Sequence, residues 1–160
     1  MASDFILELE GIPGECKKSG FEDKISIDSW SHSVHRQGYF GTGGGGTSGS
    51  ASVADISVTK VFDASSPPLE LLCLNGKHIA SGKIFCRKSI GDKEEVYLEI
   101  IMTDIVVTNF SDAGGGGDLL HESISFNVGK YEKKYKMQKE DGSLEDKGEV
   151  KWDVQKAEVF

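Results

Sequence analysis

Apolar residues recur at every second position along much of this 160-residue chain. A period of two is the spacing of a strand with one buried face. Near the amino terminus Phe5, Leu7 and Leu9 fall on one side and Asp4, Glu8 and Glu10 on the other, with Ile6 alone out of phase. Ile25 and Ile27 alternate likewise. The phase then slips so that Trp30, His32 and Val34 share a face, which calls for a β-bulge near Asp28 or Ser29. Ser31, Ser33 and His35 oppose the tryptophan. Alternation resumes at Ile56 and Val58, at Ile84 and Cys86, at Ile124, Phe126 and Val128, and at Val150, Trp152 and Val154. The run from Val96 to Phe110 is β-branched on both faces, as expected of a strand covered on each side. Ile90-Gly-Asp-Lys93, Asp112 to Asp118 and Asp141-Gly142 mark reversals. One helix is expected over residues 65–76, where serines and prolines start it and Asn75-Gly76 stops it. Seven or more strands with a single short helix indicate one all-β, mainly antiparallel domain over residues 1–160, a barrel or sandwich.

Length and composition suit one soluble core, since a chain of this size buries roughly 70% of its extended surface on folding. Hydrophobic residues make up 38% and charged residues 28%, and no apolar run approaches the roughly 20 residues of a membrane helix. Membrane insertion is therefore not expected. Lys and Arg number 18 against 26 Asp and Glu, and the net charge of −8 repels phosphate backbones, so nucleic acid is not an expected partner. The basic cluster Lys130 to Lys136, with interleaved tyrosines, reads as the exposed face of an edge strand. Acids near the amino terminus, where a secretory signal would be basic and then apolar, predict a chain finished in the cytoplasm. Three cysteines without CxxC spacing fit a reducing compartment and idle thiols.

Between two strand-like runs lies Gly38-Tyr-Phe-Gly-Thr-Gly-Gly-Gly-Gly-Thr-Ser-Gly-Ser50, a stretch with no core of its own. Ordering so many glycines is entropically costly, and a partner that captures the stretch must supply that free energy. Residues 37–54 are read as an interaction arm, with Gln37, Tyr39, Phe40, Gly43, Gly44, Gly45, Gly46 and Thr47 as its contact residues.

No chemical constellation accompanies it. His32 and His35 are three apart, so on a strand they point to opposite faces and cannot share a metal. The glycine runs lack the Lys-Ser/Thr of a phosphate loop, and Gly46-Thr-Ser-Gly49 misses the GxSxG elbow. Glu94-Glu95 and the acids near Asp141 to Asp146 fall in predicted turns. No catalytic residue, metal site or cofactor is expected, and the chain is not read as an enzyme.

Taken together, Asp4-Phe-Ile-Leu-Glu-Leu-Glu-Gly-Ile-Pro-Gly-Glu15, Ser29-Trp-Ser31, the glycine arm, Ala64-Ser-Ser-Pro-Pro-Leu-Glu-Leu-Leu72, Asn75-Gly-Lys-His-Ile79, Arg87-Lys88 and Glu95-Val-Tyr-Leu98 follow one order. In that order and spacing the chain resembles the Hcp family, the haemolysin-coregulated tube proteins of type VI secretion. The resemblance implies a phage tail-tube-like β-barrel with a flanking helix, six copies in a ring, and rings stacked into an inner tube that a contractile sheath propels. It implies a virulence-associated protein, cytoplasmic before assembly and secreted without a signal peptide to the medium or a target cell. Its partners would be identical copies, the tube tip, the sheath and effector proteins. The arm would reach a neighbouring subunit or ring, and small effectors would rest against the channel wall at Ser31, the position after the tryptophan, with Ser33 and His35 on the same face. A monomeric ligand-binding barrel with the glycine loop as a lid is the alternative from another functional class.

Overall fold

The computed structural model describes residues 3–41 and 46–160. Twelve strands and one helix follow in chain order: β1 (Ser3–Leu9), β2 (Ile25–Ile27), β3 (Ser29–Ser31), β4 (Val34–His35), β5 (Gly38–Tyr39), β6 (Thr47–Ser48), β7 (Ser52–Val53), β8 (Ile56–Val61), α1 (Ser66–Asn75), β9 (Ile79–Ile90), β10 (Lys93–Ala113), β11 (His121–Gln138) and β12 (Leu144–Asp153). The main sheet has eight strands in the order β2-β1-β9-β10-β11-β8-β3, with β12 added to β11, and every pairing is antiparallel.

The two ends of that order, β2 and β3, are separated in the chain by Asp28 alone. β2 pairs with β1, β3 pairs with β8, and the Asp28 amide donates to the Thr59 carbonyl at 2.7 Å. A single irregular residue thus carries the chain from one margin of the sheet to the other and bends the sheet into a nearly closed barrel. It also shifts the phase, so that Ile25 and Ile27 point inward before Asp28 and Trp30 packs against the core after it.

Side chains fill the barrel. Leu7, Ile25, Ile56, Val58, Ile84, Cys86, Ile100, Met102, Ile105, Ile124 and Phe126 are buried in one cluster, and Leu69 of α1 joins it. The helix packs against β10. Pro67 and Pro68 stand in its first turn, where a missing amide costs nothing, and it ends on Gly76 in a left-handed conformation whose amide donates to the Leu72 carbonyl.

Three expectations are corrected. Ile6 is buried although it faces away from the core: the segment between β1 and β2 folds over that face, and Phe21 packs edge-on against Phe85, the cross-strand partner of Ile6. Val34 is exposed rather than sharing the fate of Trp30, because the chain leaves the barrel after β3. The lysine-rich half of β11 is no edge strand, since β12 pairs with it from Lys130 to Gln138, and Lys133 is half-buried over the Trp30 ring. β10 and β11 also reverse their inward phase together. Met102 and Tyr131 are buried on one side of the change, Ile105 and Val128 on the other, and Asp104 takes a positive φ of 57° beside Gly129.

At the end of the barrel where β8 stops, Lys60 is completely buried. Its ammonium donates to Asp63 Oδ1 at 2.8 Å, Ser66 Oγ at 3.1 Å and the Val61 carbonyl at 3.2 Å, and pairs with the buried Glu122. Ser66 Oγ donates in turn to Glu122 Oε1 at 2.7 Å, so one cation ties the helix start to β8 and β11. Removing one member strands the others without water. Lys60→Met should lower unfolding free energy by about 3 kcal/mol or more, measured by urea denaturation, and combining it with Glu122→Gln should recover part of that loss; an unchanged midpoint for the single variant would show that the buried charges find other partners.

Candidate functional site

Hydroxyl and amide side chains form two cross-strand rows on the outer face of β3, β8, β11 and β10. In the first, Ser29 of β3, Thr59 of β8, Ser123 of β11 and Ser111 of β10 stand opposite one another; in the second, Ser31, Ser57, Ser125 and Asn109 do so. Neighbouring strands lie about 4.8 Å apart, so each row spans roughly 14 Å. Two hydroxyl pairs satisfy each other, with Ser29 Oγ 2.6 Å from Thr59 Oγ1 and Ser57 Oγ 2.9 Å from Ser125 Oγ. The inward neighbours Trp30, Val58 and Ile124 anchor this lattice to the core.

None of these eight residues carries a charge. Asp55, at the rim, accepts from Thr108 Oγ1 at 2.6 Å and from Asn127 Nδ2 at 2.9 Å. Ser31 and Ser33 share an open groove of about 420 Å³ with His32, Ala54, Asp55 and Ser57. His35 is not part of that groove; it pairs with Ser52 in the β4–β7 ladder. Sequence reasoning found Ser31 and missed the rest of the lattice. Ser57 with Thr59, and Ser123 with Ser125, each repeat at a spacing of two, and those hydroxyl pairs were the available signal.

The arm is a β-hairpin, not a bare loop. Val34 and His35 pair with Val53 and Ser52, Gly38 and Tyr39 with Ser48 and Thr47, and the Gly49 amide donates to the Gln37 carbonyl at 2.8 Å. Arg36 Nη1 donates to the Gly49 carbonyl at 2.8 Å and braces the two legs. Phe40 is 86% exposed at the end of one leg, and Gly46 lies so close to its ring that an added Cβ would collide with it. Gly43, Gly44 and Gly45 lie outside the described residues. Serine and glycine have low strand propensity, which is why the ladder is hard to see in the sequence.

His32 is held under the lattice. Its ring meets Tyr131 edge-on at 5.0 Å between centroids, and its Nε2 is buried without a hydrogen-bond partner among the described residues. Burial first, and then the positive charge of Lys133, push its pKa below the ordinary 6.5.

Comparison with known proteins places this geometry among relatives. The family described as type VI secretion system effector, Hcp, matches residues 6–135. Protein hcp1 of Pseudomonas aeruginosa is 34% identical over 153 residues, which cover 95% of this chain and 94% of that protein. A solved structure described as a type six secretion system protein superposes with a TM-score of 0.91 at 21% identity, covering 99% of this chain and 100% of the other. Hcp1 from Salmonella typhimurium gives 0.81 at 23% identity with both chains covered in full. A type VI secretion system effector from Yersinia pestis gives 0.74 at 26% identity, covering 94% and 100%.

A base whose folded pKa lies below its unfolded one binds more protons unfolded, so its stabilising contribution is complete above pH 6.5 and is lost as pH falls toward the folded value. The urea midpoint should therefore drop as pH is lowered through that window, and His32→Gln should flatten the drop. Equal slopes for the two proteins would remove His32 from the titrating groups.

Proposed function

The chain belongs to the Hcp family of type VI secretion proteins, and from that premise we propose that it is a structural subunit of the inner tube. Six copies close into a ring, rings stack, and the assembled tube leaves the cell when the surrounding sheath contracts. The single domain of residues 1–160 works with tip, sheath and effector partners and carries small effectors through its bore. Its role is mechanical and protective, without catalysis or a cofactor.

The observation that carries this reading is the uncharged hydroxyl lattice around Ser31. A channel wall must hold cargo weakly enough to release it, and that calls for neutral polar groups, two pairs of which here already bond each other, rather than charges that would grip. A ring closed by heterologous contacts presents the same face of every subunit to one axis, so a lattice roughly 14 Å wide on each copy would make a continuous wall. Ser31 and Ser33 belong to that wall. His35, together with Gln37, Tyr39, Phe40, Gly43, Gly44, Gly45, Gly46 and Thr47, belongs to the arm and serves contact between copies.

The competing reading, a ligand-binding barrel with the glycine loop as a lid, needs a chamber beneath the lid. Among the described residues the barrel interior is occupied by fully buried side chains, from Leu7 and Ile25 to Ile105 and Phe126. The hairpin forms two short ladders of its own, β4–β7 and β5–β6, separate from the main sheet.

Light scattering of the purified protein should give a species near six times 17.3 kDa, and electron microscopy should show a central hole. Ser57→Arg, which sets a bulky charge in the middle of the lattice, should leave that species intact and reduce co-purification of a small effector. A stable monomer would overturn the ring, and undiminished effector recovery with Ser57→Arg would remove the lattice from the cargo surface.

A further inference from the structure

Four residues outside any strand join the hairpin to the barrel. His32 and Ser33 link β3 to β4, and Ala54 and Asp55 link β7 to β8. All four, with Ser31 and Ser57, line the open groove of about 420 Å³, so this groove is the crease between the hairpin and the main sheet. The two links are tied by the Ala54 amide, which donates to the Ser33 carbonyl at 3.0 Å. The crease holds one imidazole and one carboxylate. Asp55 is half-buried and its oxygens accept from Thr108 and Asn127, whereas the buried Nε2 of His32 has no partner among the described residues.

The seat of His32 suits only the neutral ring. β11 supplies Tyr131, edge-on to the imidazole, and Lys133, whose ammonium lies 5.7 Å from the Trp30 ring. Opposite Tyr131 stand Trp152 of β12 and Met102 of β10, neither of which takes a charge. Lys130 and Glu132 flank Tyr131 on the reverse face of β11, where they pair with Asp153 and Lys151. On the hairpin, Arg36 bonds the Gly49 carbonyl and His35 pairs with Ser52. A second proton would therefore place an N–H donor at a buried position without an acceptor, beside a lysine, while the Asp55 carboxylate lies in the same groove.

We propose that this crease is an acid-operated hinge: when His32 takes a proton from solvent, its ring leaves the Tyr131 seat, turns into the groove to pair with Asp55, and releases the root of the hairpin from β11. Burial and Lys133 hold the folded pKa below 6.5, so the seat is intact at neutral pH and is given up as pH falls through the folded value. The event belongs to a single copy and does not depend on the chain's being a tube subunit. It adds one positive charge to the wall of a groove whose hydroxyls, from Ser31, Ser33 and Ser57, are neutral.

Hydrogen exchange followed by mass spectrometry on the full chain, at pH 7.5 and 5.5 and corrected for the intrinsic pH dependence of amide exchange, tests the hinge. Peptides covering residues 29–36 and 50–57 should exchange about tenfold faster at the lower pH, the factor that corresponds to one pKa unit. Peptides from the buried middle of β10 should not change. His32→Gln should abolish the pH-dependent rise whatever its baseline, and His121→Gln, which alters another histidine far along the chain, should keep it. Asp55→Asn should shrink the rise about two- to fivefold, the scale of a solvent-screened ion pair. No rise at the crease, a rise shared equally by β10, or a rise that survives His32→Gln would each overturn the hinge, and an undiminished rise in Asp55→Asn would overturn the pairing with Asp55.

Discussion

Closure of the barrel depends on Asp28, the one residue between the first and last strands of the eight-stranded order. A sheet of that width has two margins with unpaired amides and carbonyls, and each would invite another strand. Here consecutive segments of chain form both margins, so the hydrogen bonds that β2 gives to β1 and β3 gives to β8 close the sheet on itself. The phase change at the same residue keeps apolar side chains inward on either side of it. Without that change Ser29 and Ser31 would point into the core and Trp30 into solvent, so the hydroxyl lattice is a product of the same irregularity that shuts the barrel.

β8 links the core, the lattice and the arm. Its inward residues Ile56 and Val58 pack in the core and Lys60 holds the buried ion cluster, while its outward residues Ser57 and Thr59 occupy the centre of the lattice. Before one end of the strand lies the hairpin, with its own short ladders. Beyond the other, the chain is pinned by Lys60, Asp63 and Glu122 before it turns into α1. The pinned end leads into α1 and the other end into the arm.

Much of the fold is legible in the sequence because alternation is a local signal. Phe5, Leu7 and Leu9 announce a one-sided strand, and the slip between Ile27 and Trp30 announces the bulge. What escaped the sequence depends on distant partners. Ile6 looks like an error of pattern until the Phe21 segment is seen to cover its side of β1. The lysines of β11 look like edge protection until β12 pairs with them. Of the candidate site, Ser31 was legible through family resemblance and alternation, but the lattice joins residues 29–31, 57–59, 109–111 and 123–125, and no local reading brings those four stretches together. The arm was legible as a protrusion and not as a ladder, since glycine and serine hide strand character.

The lattice has a further property that follows from its side chains alone. Serine and threonine hydroxyls and the asparagine amide do not ionise in the range a cell experiences. The eight lattice side chains therefore add no charge to this face in acidic or neutral surroundings, and a change of acidity reaches it through neighbours such as His32 beneath it. A molecule moved between compartments of different acidity would keep these eight contacts uncharged, and whatever rested on them would meet the same hydroxyls throughout.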